Sequence, residues 1–192
     1  MTPNLNIIAG CNGAGKTTAS YSVLPEILNC KEFVNADEIA KGLSPFQPEK
    51  ASFESGRIML NRINELLNQN ADFAFETTLA TRSYLKLIQK AKSKGYRVTL
   101  IFLWLKSPTI AKERVRSRVA NGGHNIPDDV IERRYYRGLN NFFELFQAAV
   151  DYWLLIDNDL AYPVTVAEGF NQVDFEVKNA DIWKTIKLQV NG

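Results

Sequence analysis

The octapeptide Gly10-Cys11-Asn12-Gly13-Ala14-Gly15-Lys16-Thr17 follows directly on the apolar run Leu5-Asn6-Ile7-Ile8-Ala9. It fits G-x-x-x-x-G-K-[ST], and its context of strand, glycine-rich turn and helix is the one a phosphate-binding loop requires. Glycines allow the backbone to approach a polyphosphate closely. The N–H groups at the helix start then meet the anion at the positive end of the helix dipole. The spacing assigns Gly10, Asn12, Gly13, Ala14, Gly15, Lys16, Thr17 and Thr18 to nucleotide binding. Lys16 reaches the β- and γ-phosphates, and the Thr17 hydroxyl is the candidate Mg²⁺ ligand.

Beyond this loop, apolar runs and helical periodicities alternate. Strands are predicted at Leu5–Ala9, Glu32–Asn35, Phe73–Glu76, Arg97–Leu105 and Tyr152–Ile156. Several are continuously apolar, as in strands covered on both faces. Helices are predicted over 16–28, 48–68, from Tyr84, over 110–119 and over 128–150. In the second, Phe53, Ile58, Leu60, Ile63, Leu66 and Leu67 form the apolar stripe. The alternation predicts an α/β P-loop fold: a kinase-like five-stranded parallel sheet with helices on both faces. Residues from about 162 to 192 add a small strand and helix extension. At 192 residues, one domain is the simplest organisation.

The net charge of +2 argues against a polybasic nucleic-acid binder. Cys11 and Cys30 have neither paired nor metal-ligand spacing, which suits a reducing compartment. No leader pattern and no apolar stretch long enough for a membrane span is found, so a cytoplasmic protein is expected.

In parallel α/β sheets, ligands bind beyond the carboxyl ends of the strands. Asp37 follows the second strand in Val34-Asn35-Ala36-Asp37-Glu38, where it suits a base that accepts or orients the proton of an attacking hydroxyl. The same position also suits a helix N-cap. Glu76 ends the third strand. It suits either a Mg²⁺-orienting carboxylate or a contact to a hydroxylated substrate, leaving Asp157 as a strand-end turn residue. Arg114 and Arg118 share one helix face at i, i+4. With the breaker-rich turn 121–127 and Arg133, Arg134 and Arg137, they form a lid-like segment over about 108–137. Arg114 and Arg118 are the candidates for neutralising a transferring phosphoryl group; Arg116 and Arg137 read as a solvated face. His124, the one histidine, is assigned to turn shaping or to substrate or phosphate contact rather than to base catalysis.

Taken together, Gly10–Thr17, Asn35-Ala36-Asp37-Glu38, Phe75-Glu76-Thr77-Thr78, the arginine helix, the turn Gly122-Gly123-His124-Asn125-Ile126-Pro127 and Arg133-Arg134-Tyr135 resemble the zeta-toxin-like P-loop kinases. The resemblance runs to about Asp159. It implies a fold like that of chloramphenicol phosphotransferase, ATP and Mg²⁺ as cofactors, and transfer of the γ-phosphate to a sugar hydroxyl of UDP-N-acetylglucosamine. It also implies a small antitoxin protein as partner. On it, Asp37 matches the catalytic base, Glu76 and Thr78 match substrate contacts, and Arg114 and Arg118 fall in the region of the catalytic arginines. Where the family's better-known members carry a glycine-bearing turn after the third strand, this chain has Thr77-Thr78-Leu79. Arg82 is the nearest candidate for the arginine that follows that turn. Asn35, Glu76, Thr78, Arg82 and His124 are thus the expected substrate contacts. A kinase acting on RNA or another metabolite, and a nucleotide-dependent switch with no acceptor, are the alternative functions.

Overall fold

The computed structural model describes residues 2–26, 28–120, 122–123, 125–160, 162–170 and 174–190. Asn121 and His124 of the predicted lid-like turn therefore lie outside the described residues. Five parallel strands form the centre of the sheet: β1 (Asn4–Gly10), β2 (Glu32–Val34), β3 (Phe73–Thr77), β4 (Arg97–Trp104) and β5 (Tyr152–Asp157). Two more, β6 (Val164–Phe170) and β7 (Asp174–Val177), continue it antiparallel beyond β5, so the sheet has seven strands in the order β2-β3-β1-β4-β5-β6-β7. The five parallel strands are those expected from the sequence, each within a residue or so at its ends. The extension enlarges the same sheet because β6 returns along the free edge of β5, with Trp153 opposite Gly169.

Burial explains the central placement of β1 and β4. Leu5, Ile7 and Ile8 in β1 and Leu100 through Trp104 in β4 are buried at consecutive positions, which requires cover on both faces. The cover comes from α1 (Lys16–Glu26), α2 (Ala36–Leu43), α3 (Ser52–Gln69), α4 (Tyr84–Ser93), α5 (Pro108–Ala120), α6 (Asp128–Asn141) and α8 (Ala180–Val190). In α3 the buried stripe is Ser55, Met59, Ile63, Leu66 and Leu67, at i, i+4, i+8, i+11 and i+12. Phe53 and Leu60, predicted inside, stay outside at 87% and 48% exposure. The single long helix expected over 128–150 is interrupted. After α6, a π-helical turn at Phe142–Phe146 leads into the short α7 (Gln147–Ala149). That turn seats Phe142 and Phe146 in the core while Glu144 stays outside.

Helix α6 is seated rather than loosely laid on the surface. Ile131, Tyr135 and Leu139, at i, i+4 and i+8, are buried. The Tyr135 hydroxyl lies 2.7 Å from the Leu105 carbonyl and 2.9 Å from Gln189 Oε1 of α8. On another side of α6, a Cβ at Gly138 would come 2.3 Å from the Thr78 carbonyl, and Asn141 Nδ2 donates to the Leu79 carbonyl at 2.7 Å. Gly138→Ala therefore destabilises the fold by about 1–3 kcal/mol through overpacking. Gly56→Ala, at a helical site with nothing within 4 Å of the new Cβ, is neutral or stabilising by up to about 1 kcal/mol. Thermal melting of the two variants checks this contrast. Equal melting temperatures would mean that α6 does not press on Thr78.

Candidate active site

The carboxyl ends of β1, β2 and β3 converge on one cleft of about 210 Å³, lined by Asn12, Lys16, Asp37, Glu76, Thr78 and Arg134 among others. The loop after β1 has the backbone of a phosphate cradle. Gly13 and Gly15 adopt φ of +82° and +83°, which glycine reaches without steric penalty. A Cβ at Gly13 would lie 2.6 Å from the Ala111 carbonyl, which leaves no room for a side chain, and one at Gly15 would displace the Asn158 side chain, 2.6 Å away at Nδ2.

Glu76 ties three segments together. Its Oε2 accepts from Thr17 Oγ1 at 2.8 Å and from Asn35 Nδ2 at 2.9 Å, and its Oε1 lies 3.5 Å from Lys16 Nζ. Lys16 and Glu76 are only 6% and 10% exposed. Their pairing lets each charge be held away from water. Lys16 Nζ also donates to the Cys11 carbonyl at 3.0 Å. Asn35 has a second task. As N-cap of α2 its Oδ1 accepts from the backbone N–H groups of Asp37, at 2.8 Å, and Glu38, at 3.3 Å. The cap is therefore Asn35, one of the two readings of Asp37 being taken by its neighbour. Asp37 stands in the first turn of α2 with its exposed carboxylate lining the cleft.

The turn after β3 carries no glycine, yet it still passes through the left-handed region, at Leu79 with φ of +56°. A non-glycine residue there is strained by about 1–2 kcal/mol. The conformation is held from both sides: Leu79 N–H donates to Thr77 Oγ1 at 3.0 Å, and the Leu79 carbonyl accepts from Asn141. Thr78 and Thr81 line the cleft. Arg82, the predicted contact beside them, is exposed and does not. Tyr84 closes the wall. Burial pushes its hydroxyl above the ordinary tyrosine range, leaving a neutral hydroxyl there.

The arginines are distributed differently from the sequence expectation. Arg114 donates through Nη1 to the Asn158 carbonyl at 2.9 Å and through Nη2 to the Asp159 carbonyl at 2.7 Å. It thereby fixes the loop after β5, whose Asn158 Nδ2 donates to the Ala14 carbonyl of the phosphate loop at 2.7 Å. Arg118 is exposed in the last turn of α5 and does not line the cleft. Arg116 pairs with Asp128 across the α5–α6 turn. The arginine that lines the cleft is Arg134, whose Nη1 donates to Asn12 Oδ1 at 3.2 Å. A sequence signal for it exists: Arg134, Gly138 and Asn141 recur at i, i+4 and i+7, on the side of α6 that presses on Thr78 and Leu79. Asp157 accepts from the Asp159 N–H at 2.9 Å in a strand-end turn, and burial pushes its carboxyl up.

Both thiols are inert by environment. Burial pushes Cys11 up to about 11, only partly offset by the Lys16 charge, and raises Cys30 as well. Because the thiolate is the nucleophile, alkylation of the native protein at pH 8 is expected to leave both residues unmodified while the denatured chain reacts fully. For Cys11, reaction rises only as the pH approaches 11. Peptide mass spectrometry reads this directly, and rapid native labelling of Cys11 would contradict it.

The zeta toxin family profile matches residues 1–159. The chain belongs to the zeta toxin family. An uncharacterized protein of Haemophilus influenzae is 29% identical to this zeta toxin relative over 126 residues, 66% of this chain and 88% of that one. Among solved structures, the AvrRxo1-ORF1:AvrRxo1-ORF2 complex with sulphate ions superposes with a TM-score of 0.79 at 19% identity, covering 96% of this chain and 63% of the matched one. The chain thus spans under two thirds of that larger structure. The PezAT toxin–antitoxin system of Streptococcus pneumoniae superposes at 0.61 with 15% identity, covering 99% of this chain and 86% of the other. β6, β7 and α8 lie beyond the part that the family profile covers.

Proposed function

We propose that this zeta toxin family member transfers the γ-phosphate of Mg·ATP to a hydroxyl of a small substrate, with a nucleotide sugar such as UDP-N-acetylglucosamine as the acceptor class. The observation that carries the reading is the one cleft that Lys16 of the phosphate loop and Glu76 of β3 line together with Asp37 and Arg134, Thr17 being hydrogen-bonded to Glu76. Phosphoryl transfer needs positioning and charge neutralisation more than covalent participation by the protein, and these groups supply both.

In this reading the Asp37 carboxylate orients the acceptor hydroxyl and takes its proton. The acceptor oxygen bonds to the γ-phosphorus as the bond to the β,γ-bridging oxygen breaks, and ADP departs with that oxygen. Lys16 and Arg134 offset the charge on the transferring group. Arg114 serves by holding the loop after β5 against Ala14. That loop carries Asp159 Oδ1, a buried acceptor without a hydrogen-bond partner among the described residues, which the amino group of a bound nucleotide would satisfy. Thr17 and Glu76 supply the hard oxygen donors suited to Mg²⁺, which would neutralise phosphate charge. Among the described residues no cluster of three or more acidic, cysteine or histidine side chains could hold a metal ion alone. That fits an ion held largely by phosphate and water oxygens. Asn35 and Thr78 remain the proposed substrate side of the site; Arg82 stands outside the cleft lining, and His124 lies outside the described residues.

A solved AvrRxo1-ORF1:-ORF2 complex contains ATP, and PezAT is a toxin–antitoxin system. By analogy, a cognate antitoxin is the proposed protein partner here. No described helix is long and apolar enough to cross a membrane, and we assign the enzyme to the cytoplasm, where ATP is present and thiols stay reduced.

The role of α6 is tested by steady-state kinetics. Arg134→Ala lowers kcat by about 10²–10³-fold, as expected for one lost transition-state donor, while Arg118→Ala leaves kcat near the parent value. The reverse order would return the role to α5.

A further inference from the structure

A second cavity lies away from the phosphate cleft and shares none of its lining residues. It has a volume of about 360 Å³, within the range of small-molecule sites. Its walls are four aromatic rings from four different elements: Phe143 of the π-helical turn, Trp153 of β5, Phe175 of β7 and Trp183 of α8. Phe175 and Trp183 lie nearly parallel, 30° apart with centroids at 5.7 Å, and Phe143 meets Trp183 edge-on at 5.5 Å. Phe175 remains 52% exposed while Trp153 is buried at 2%, so the cavity opens to water on its Phe175 side with Trp153 as its floor.

The cation in this cavity is the second observation. Lys187 Nζ rests 4.5 Å above the Phe143 ring and 6.0 Å from Trp183. The ammonium groups of Lys41, Lys112 and Lys178 each close on a carboxylate at 2.6 Å. Among the described residues no carboxylate pairs with Lys187, although Glu144 lines the same cavity. Gln147, also in the lining, adds an amide.

We propose that this cavity binds a planar aromatic or heteroaromatic ring bearing one carboxylate. The ring stacks on the aromatic walls, where offset and edge contacts contribute beyond area burial, and the carboxylate takes the Lys187 ammonium, with the Gln147 amide as a second donor. A cationic ligand is disfavoured because the Lys187 ammonium in the lining would repel it. A phosphate is disfavoured because the lining holds no arginine fork. Three of the residues involved, Phe175, Trp183 and Lys187, lie beyond residue 159, so the site is shared between the family-matched part and this chain's extension.

The test is titration of the full-length ¹⁵N-labelled protein with 2-naphthoate, following the indole N–H signal of Trp183. A saturable shift is expected with 2-naphthoate and a much weaker one with naphthalene-2-carboxamide. Lys187→Met weakens 2-naphthoate binding by at least about tenfold, as for loss of a charged hydrogen bond, whereas Lys187→Arg retains it. ATP binding by the Lys187→Met protein, unchanged, shows that the fold is intact. No saturable shift with 2-naphthoate, equal binding of the carboxamide, or equal binding by Lys187→Met would each overturn the proposal. None of these outcomes bears on the kinase reading.

Discussion

Lys16→Ala is expected to lower phosphotransfer by about 10³-fold or more, since it removes a preorganised charge aimed at the transferring phosphoryl group. The substitution also acts on stability. Lys16 lies 3.5 Å from Glu76, and both are nearly buried. Removing the lysine leaves a buried carboxylate without its cation, a change that is destabilising by about 3–5 kcal/mol when no other partner remains. Glu76 keeps its hydrogen bonds from Thr17 and Asn35, so the expected loss falls below that range. The two effects separate cleanly in the double variant. Adding Glu76→Gln to Lys16→Ala removes the orphaned charge, and the melting temperature recovers towards the parent value. Activity does not recover. A Lys16→Ala protein that is folded and still transfers phosphate at the parent rate would remove Lys16 from the chemistry.

Asp37→Asn carries the second large effect. Loss of a general base lowers the rate by about 10²–10⁴-fold. ATP affinity should stay at the parent value, because Asp37 belongs to the first turn of α2 and not to the phosphate loop. Stability should change little. The side chain that caps α2 is Asn35, and a first-turn carboxylate contributes only about 0.3–1 kcal/mol through the helix dipole. Asn35→Ala therefore makes a useful contrast: it removes both the α2 cap and one hydrogen bond to Glu76, so it lowers stability while Asp37→Asn does not. If Asp37→Asn turned over normally, Asp37 would be reduced to a dipole-stabilising residue.

Much of the architecture was legible because its signals are local. Leu5–Ala9 and Phe73–Glu76 are apolar runs ended by polar residues, and the glycines after β1 leave few other conformations open. Asp37 and Glu76 line one cleft because strand order in a parallel sheet brings the ends of β2 and β3 beside the phosphate loop. What spacing alone left open was rotation about helix axes. Arg114 and Arg118 share a face, yet α5 turns Arg114 onto the carbonyls of Asn158 and Asp159, which lie more than forty positions away in the chain. Arg134 reaches Asn12 only because burial of Ile131, Tyr135 and Leu139 sets the rotation of α6. The dual role of Asn35 was hidden for the same reason, since its Glu76 partner is 41 positions away. The turn after β3 shows another limit. Without a glycine in this turn, tertiary hydrogen bonds hold Leu79 in the conformation glycine would favour.

The most direct measurement supplies the purified protein with γ-labelled ATP, Mg²⁺ and a panel of nucleotide sugars, with RNA ends and other hydroxylated metabolites alongside. The account predicts label on a hydroxyl of a nucleotide sugar, lost with Asp37→Asn. Label appearing only as inorganic phosphate across the whole panel, at a rate that Asp37→Asn does not change, would contradict it and make the protein a nucleotide-hydrolysing switch.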